Sequence, residues 1–162
     1  GGERQSRRIA RPIERERMIE RIVSTLHLER VVESAKPRRG KVTHPATKVF
    51  QALRMAVNDE IGELNRGLQC LAGLLKPGGR LLVITFHSGE DRAVKRFGRE
   101  EARDYDLPGN EDVPALRVPR SPRMRWVKRK AICAGEKELK TNPSARSAQL
   151  RVLEKMGEKV TS

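Results

Sequence analysis

The sequence predicts an α/β fold, with part of a sheet covered by helices and a smaller helical segment ahead of it. Three observations carry that prediction. Phe50, Leu53, Val57, Ile61, Leu64, Leu68, Leu71 and Leu75 recur every three or four positions, the spacing of one helix face. Lys76-Pro77-Gly78-Gly79 then ends the stripe with residues that stop helices. Leu81-Leu82-Val83-Ile84 follows as a short continuous apolar run, the pattern of a strand covered on both faces, as in a parallel sheet. Helix, turn, buried strand, polar loop and helix in that order make an α/β unit.

Taken in order, the chain from about Glu3 to Val32 reads as helical, with Ile9, Ile13, Ile19, Ile22, Val23 and Leu26 near helical spacing. Pro12 is expected to break or start a helix there. Ser34–Thr43 is basic and rich in turn formers, so it reads as a linker. Thr43 or His44 is expected near the start of the long stripe, with Pro45 tolerated in its first turn. Beyond the apolar run, Ser88 is the expected N-cap of a helix through Asp91–Glu101, whose first turn is acidic. Asp104–Pro122 carries Pro, Gly and charge and reads as an exposed loop. Met124-Arg125-Trp126-Val127 and Ala148–Leu153 read as strands that would pair as an antiparallel edge hairpin on a mostly parallel sheet. Asn142-Pro143-Ser144 is a turn between them, and Gly157–Ser162 a frayed tail. The expected organisation is a helical segment and linker over 1–43, the α/β part over 44–156 and the tail over 157–162.

Composition bounds the function. The 162 residues suffice for one domain, but 36% apolar and 3% aromatic content is lean, so part of the core is expected from elsewhere. A net charge of +14 favours a polyanionic partner, with a solubilising surface as the plainer reading. Cys70 and Cys133 stand far apart without a CxxC, which implies neither a disulfide framework nor a zinc site and fits a reducing, cytoplasmic compartment. No apolar run approaches the roughly 18 residues of a membrane span. The basic start GGERQSRRIARPIERER lacks a signal peptide's apolar core, and without an initiator Met the chain is expected to begin inside a longer protein.

Four constellations carry possible chemistry. Thr85-Phe86-His87-Ser88-Gly89-Glu90-Asp91-Arg92 lies past the carboxyl end of the apolar run, where open α/β sheets bind ligands. There a histidine can move protons and a carboxylate can orient it or accept from a base amino group. The structural alternative is a helix cap with dipole-matched acids. Arg117–Lys130 holds seven basic residues, no acidic ones and the single tryptophan. Its cations would meet phosphates and Trp126 would stack on a base, or the stretch is a charged, aggregation-resistant edge. In Asn142–Arg151, the Asn-Pro turn places Arg146 toward phosphate, or is only a turn. His44-Pro45-Ala46-Thr47 reads more readily as a cap than as a catalyst. No GxGxxG follows a strand, and no Walker, GxSxG or HExxH pattern occurs; Gly78-Gly79 precedes its strand and so is a connection, not a phosphate cradle.

His44–Leu64 (HPATKVFQALRMAVNDEIGEL), Leu75–Phe97 (LKPGGRLLVITFHSGEDRAVKRF) and Asn142–Lys155 (NPSARSAQLRVLEK), preceded by GGERQSRRIA, resemble the MraW (RsmH) family in order and spacing. That family transfers a methyl group from S-adenosylmethionine to N4 of a cytosine in small-subunit rRNA. The resemblance implies a partial Rossmann-like methyltransferase sheet, its last three strands, with part of a helical insert. Glu3–Lys36 would be the end of that insert, Arg80–Phe86 the fifth strand, and Arg123–Ile132 and Ala148–Glu154 the antiparallel sixth and seventh. Gly89 stands where the family usually has leucine, which would loosen the start of that helix by about 1 kcal/mol.

The resemblance also implies what falls outside this chain: the glycine-rich donor loop, the acidic residue for the donor ribose, and the motif near the acceptor pocket. S-adenosylmethionine would be the cofactor, with no binding residue here, no metal, and no activity from this chain alone. Partners would be small-subunit rRNA and a missing N-terminal half or a second copy, with no membrane. The RNA-facing candidates are His87, Ser88, Glu90 and Asp91 at the site, and Arg92, Lys95, Arg123, Arg125, Trp126, Lys128, Asn142 and Arg146 around it. Two alternatives remain at this point: a non-enzymatic basic RNA-binding protein, and a remnant without function.

Overall fold

The computed structural model describes residues 3, 5–37, 44–109 and 112–157. The chain is mixed α/β and divides into two compact units, Gly1–Glu60 and Ile61–Ser162. Most of the expected linker, the cap candidate Thr43 and the tail beyond Gly157 lie outside the described residues.

The first unit is helical, with α1 (Ser6–Ile19), α2 (Thr25–Ala35) and α3 (Thr47–Val57). Ile9, Leu28, Val32, Ala35 and Ala46 form its core, flanked by Ile13, Ile22, Val49 and Phe50. The stretch read as helical up to Val32 is two helices, because Ser24 is extended and its hydroxyl accepts the His27 N–H at 3.1 Å, which starts α2. Ile19, Val23 and Leu26 flank that break and are exposed, while α2 buries Leu28, Val31, Val32 and Ala35 instead. Pro12 neither breaks nor starts a helix but lies inside α1. The carbonyl it leaves without a donor belongs to exposed Arg8, so no buried acceptor is orphaned.

The second unit holds α4 (Glu60–Leu74), β1 (Arg80–Thr85), α5 (Ser88–Glu101), β2 (Tyr105–Asp106), β3 (Val118–Pro119), β4 (Met124–Trp126), β5 (Ile132–Cys133), α6 (Glu136–Thr141) and β6 (Gln149–Lys155). The stripe from Phe50 to Leu75, read as one helix, is divided between α3 and α4. Asn58 caps α3 and Asp59 takes φ 47°, a left-handed conformation that Asp tolerates better than most residues. A spacing of three or four persists across such a break, so the pattern alone does not reveal it. The segment read as an exposed loop contains the small β2–β3 ladder, with Tyr105 opposite Pro119.

The last strand is the middle of the main sheet. On one side β6 pairs with β1, from Arg80 opposite Glu154 to Thr85 opposite Gln149. On the other it pairs with β4, Trp126 opposite Leu153, and with β5, Ile132 opposite Leu150. The Met124 and Ala148 segments therefore pair antiparallel as expected, but the second is central rather than an edge. Every pair among the described strands is antiparallel, as the resemblance implied for the strands read as sixth and seventh.

Residues directly opposite share a face. Leu81, Thr85, Met124, Arg151 and Leu153 point to one face and are buried; α4 and α5 cover it with Leu68, Ala72, Val94 and Phe97. Burial of each large side chain in that cluster contributes about 1.5–3 kcal/mol. On the other face Leu82 is 60% and Ile84 58% exposed. The apolar run read as covered on both faces is fully covered on one; on the other Val152, opposite Leu82, is buried while Leu82 and Ile84 are largely exposed.

Candidate nucleic-acid interface

β1 delivers Phe86 and His87 to its carboxyl end, and α5 begins there. His87, not Ser88, is the N-cap: its Nδ1 accepts the Gly89 N–H at 3.2 Å and the Glu90 N–H at 3.3 Å. Glu90 returns the bond, its Oε2 accepting the Phe86 N–H at 2.8 Å and the His87 N–H at 3.3 Å. The two side chains complete a capping box that satisfies donors at the helix start. With Nδ1 an acceptor, the ring proton sits on Nε2, whose atom is buried 3.2 Å from Glu90 Oε1 without hydrogen-bond geometry. His87 therefore has one nitrogen committed to the fold and one with donor capacity left. Ser88 is exposed in the first turn, and Gly89 at that position serves as a backbone donor.

Asp91 is buried and structural in its contacts. Arg151 Nε donates to its Oδ1 at 2.6 Å, and Lys95 Nζ lies 3.1 Å from Oδ2. Desolvation raises the Asp91 pKa, but the hydrogen bonds from Arg151 and Lys95 outweigh it and hold the carboxyl below its ordinary value. Arg151 also donates from Nη1 to the Arg129 carbonyl at 3.2 Å, and its guanidinium lies 5.8 Å from the Trp126 ring centroid. Trp126 is half-buried and wedged against α5: a Cβ on Gly98 would come within 2.1 Å of the indole.

The structure sorts the other candidates by partner and by place. Arg123 donates to Glu101 at 2.6 Å, and Arg125 to Glu154 at 3.0 Å, so both carry local counter-charges. Glu154, also bonded by Arg80, has its pKa lowered by Arg125 first and Arg80 next. Arg92, Lys128 and Arg146 are exposed, with no carboxylate partner among the described residues. Asn142 caps α6 through its N–H to the Glu138 carbonyl, and a 3-10 turn over Pro143–Ser147 carries Arg146. Thr85 lies opposite Gln149, so the His87 loop and the Arg146 turn share one end of the sheet. Arg125 lies opposite Glu154, toward the other end, with Trp126 between. Two further cations stand beside Trp126: Arg129, from the basic stretch Arg117–Lys130, and Arg99, which the sequence reading did not single out. Arg92, Lys95, Arg96 and Arg99 sit at helical spacing, the signal that points to Arg99.

The remaining histidine segment is a fold element. His44 Nδ1 accepts the Ala46 N–H at 3.2 Å, leaving Nε2–H between Glu29 at 3.0 Å and Glu33 at 2.8 Å. Glu16, Glu20 and His27 form a similar group. In both, the imidazole already bridges to carboxylate. Gly78 takes φ 80° and donates its N–H to the Lys155 carbonyl, and a Cβ on Gly79 would lie 2.8 Å from the Lys76 carbonyl. This glycine pair is a turn that ties β1 to β6. No described helix is long and apolar enough to cross a membrane.

Residues 1–156 match the model of the MraW methylase family. The chain is similar to proteins named ribosomal RNA small subunit methyltransferase H. It is 48% identical to that of Methylococcus capsulatus over 96% of this chain and 50% of the relative. For Hyphomonas neptunium the identity is 49% over 93% and 44%, and for Halorhodospira halophila 50% over 96% and 48%. The chain thus spans about half the length of the curated relatives it matches.

Proposed function

Because the chain belongs to the MraW methylase family, we propose that it is the C-terminal part of an S-adenosylmethionine-dependent methyltransferase acting on N4 of a cytosine in small-subunit rRNA. In this reading residues 1–43 are the end of a helical insert, and 44–156 the last strands of a Rossmann-like sheet. The tail is 157–162, and the setting is the cytoplasm. The chain supplies one edge of the sheet and part of the RNA surface.

The observation that carries the reading is the exposed apolar side chains on one sheet face, Leu82 and Ile84 with Phe86 beyond them, in a family member of half length. A sheet open on one face is an unfinished layer, and a second layer of polypeptide completes it. Bound S-adenosylmethionine would supply an electrophilic methyl group. Its site belongs to the part that this chain does not span, so the transfer step is not performed by the described residues. Their share is to hold RNA. His87, Ser88 and Glu90 form the sheet end toward the base, and Arg92, Lys95 and Arg146 meet phosphates. Asp91 acts through Lys95 and Arg151, as a positioning residue.

Calorimetry on this chain tests the division. With S-adenosylmethionine no binding heat is expected, while rRNA binding should occur and weaken steeply with salt. Tight donor binding by these 162 residues would overturn the division. Methyl transfer restored by adding the relatives' N-terminal half would separate the enzyme reading from a purely RNA-binding one.

A further inference from the structure

Beside Trp126 lies a cleft of about 350 Å³ lined by Lys95, Arg99, Ala102, Trp126, Arg129 and Arg151. Lys95 and Arg99 come from one face of α5, four residues apart, and Ala102 is that helix's C-cap. Trp126 comes from β4, and Arg151 from β6. Four of the six lining residues are cations, and the one carboxylate bonded to any of them is Asp91, which holds Arg151 and Lys95. Arg99 and Arg129 have no carboxylate partner among the described residues. Elsewhere in this unit Arg80, Arg117, Arg120, Arg123 and Arg125 are ion-paired, while Arg92 and Arg146 are exposed and, among the described residues, also without a carboxylate partner.

Like charges around a concave wall repel, and an anion seated among them removes that cost and gains from the focused field. The volume falls within the roughly 300–1,000 Å³ of small-ligand sites. Arginine presents a planar fork that matches phosphate oxygens, and the tryptophan beside it offers an aromatic surface to a base or ribose. Two parts of the wall are held in place. Gly98 lets the indole seat on the helix, and the Asp91 bond fixes the Arg151 guanidinium.

We propose that this cleft binds one nucleotide of single-stranded RNA, its phosphate between Arg99 and Arg129 and its sugar or base against Trp126. The proposal deepens the RNA-modifying reading and rests on it, adding a grip on the strand apart from the His87 end of the sheet. A single strand is specified because a splayed nucleotide, unlike a paired one, can enter a concave site.

Trp126 is the only tryptophan, so its emission reports on this cleft alone. The full chain is titrated with a single-stranded hexauridylate, with orthophosphate and with uridine, while filter binding follows total RNA association. The oligonucleotide should shift Trp126 emission where the other two do not. Arg99→Ala with Arg129→Ala should weaken binding about tenfold and lower the salt slope by about 0.7, the value for one single-strand phosphate contact. Arg99→Lys with Arg129→Lys should restore the slope, since charge is kept. RNA binding with unmoved emission and an unchanged slope in the alanine variant would overturn the cleft and leave the RNA reading standing. An equal response to orthophosphate would make this a small-anion site and also overturn it. No RNA association by either method would defeat the RNA reading itself.

Discussion

On one face of the main sheet Leu81 is 6% exposed and Leu153 is fully buried; on the other, Leu82 and Ile84 keep more than half their surface in solvent. These are alternate residues of the same strands, equally apolar, two of them adjacent in sequence. Hydrophobicity does not distinguish them, but the presence of α4 and α5 on one side does. The covered face also carries the costlier arrangement, a buried Asp91–Arg151 pair, which persists because the two groups satisfy each other. Apolar strand residues thus record a face that needs covering without saying which polypeptide covers it.

The contrast is sharpest at the buried pair. Arg151→Ala leaves Asp91 on the covered face with Lys95 alone, and should cost about 3–5 kcal/mol in urea unfolding. The pH dependence has a definite sign. The Asp91 pKa is lowered in the folded chain from the ordinary 3.8, so its stabilisation is present above 3.8 and is lost as pH falls through the lower folded value. Arg151→Ala should flatten that acid limb; an unchanged limb would assign it to other carboxylates.

Next in size is Leu81→Ala, which opens a cavity beneath α4 and α5 and should cost about 2–5 kcal/mol. Its neighbour sets the comparison: Leu82→Ala should stay within about 0.5 kcal/mol on this chain alone, because the side chain is already in water. Equal losses at the two positions would mean that the second face is covered in solution, by another copy or by chain outside the described residues. Between these extremes, His87→Ala removes the cap of α5 and should cost about 1 kcal/mol, with His87→Asn recovering most of it. A helix signal unaffected by His87→Ala would show that Glu90 suffices.

Much of this was legible in the residues. The Pro-Gly-Gly turn, the strand after it, the helix through Asp91–Glu101 and the two later strands follow from local rules, because stop signals and apolar runs act over a few residues. The two helix breaks were not. Ser24 and Asp59 each act through one backbone conformation that apolar spacing does not register. Nor was the cap. Ser88 and His87 are both possible acceptors, and the choice went to the side chain whose nitrogen reaches two N–H groups at once. Among the RNA-facing candidates, Arg123 and Arg125 have the same composition signal as Arg129, but their carboxylates, Glu101 and Glu154, stand 22 and 29 residues away.

The sequence by itself determined the α/β class, the element order and an excess of positive charge, because propensity, turn chemistry and net charge are properties of neighbouring residues or of their sum. Only the tertiary structure decided that β6 is central, that Leu82 and Ile84 stay exposed on one sheet face, and that Arg99 and Arg129 converge on Trp126 without a carboxylate partner among the described residues. Those outcomes depend on which distant residues become neighbours, and long-range contacts alone decide whether a charge is neutralised or left for a ligand.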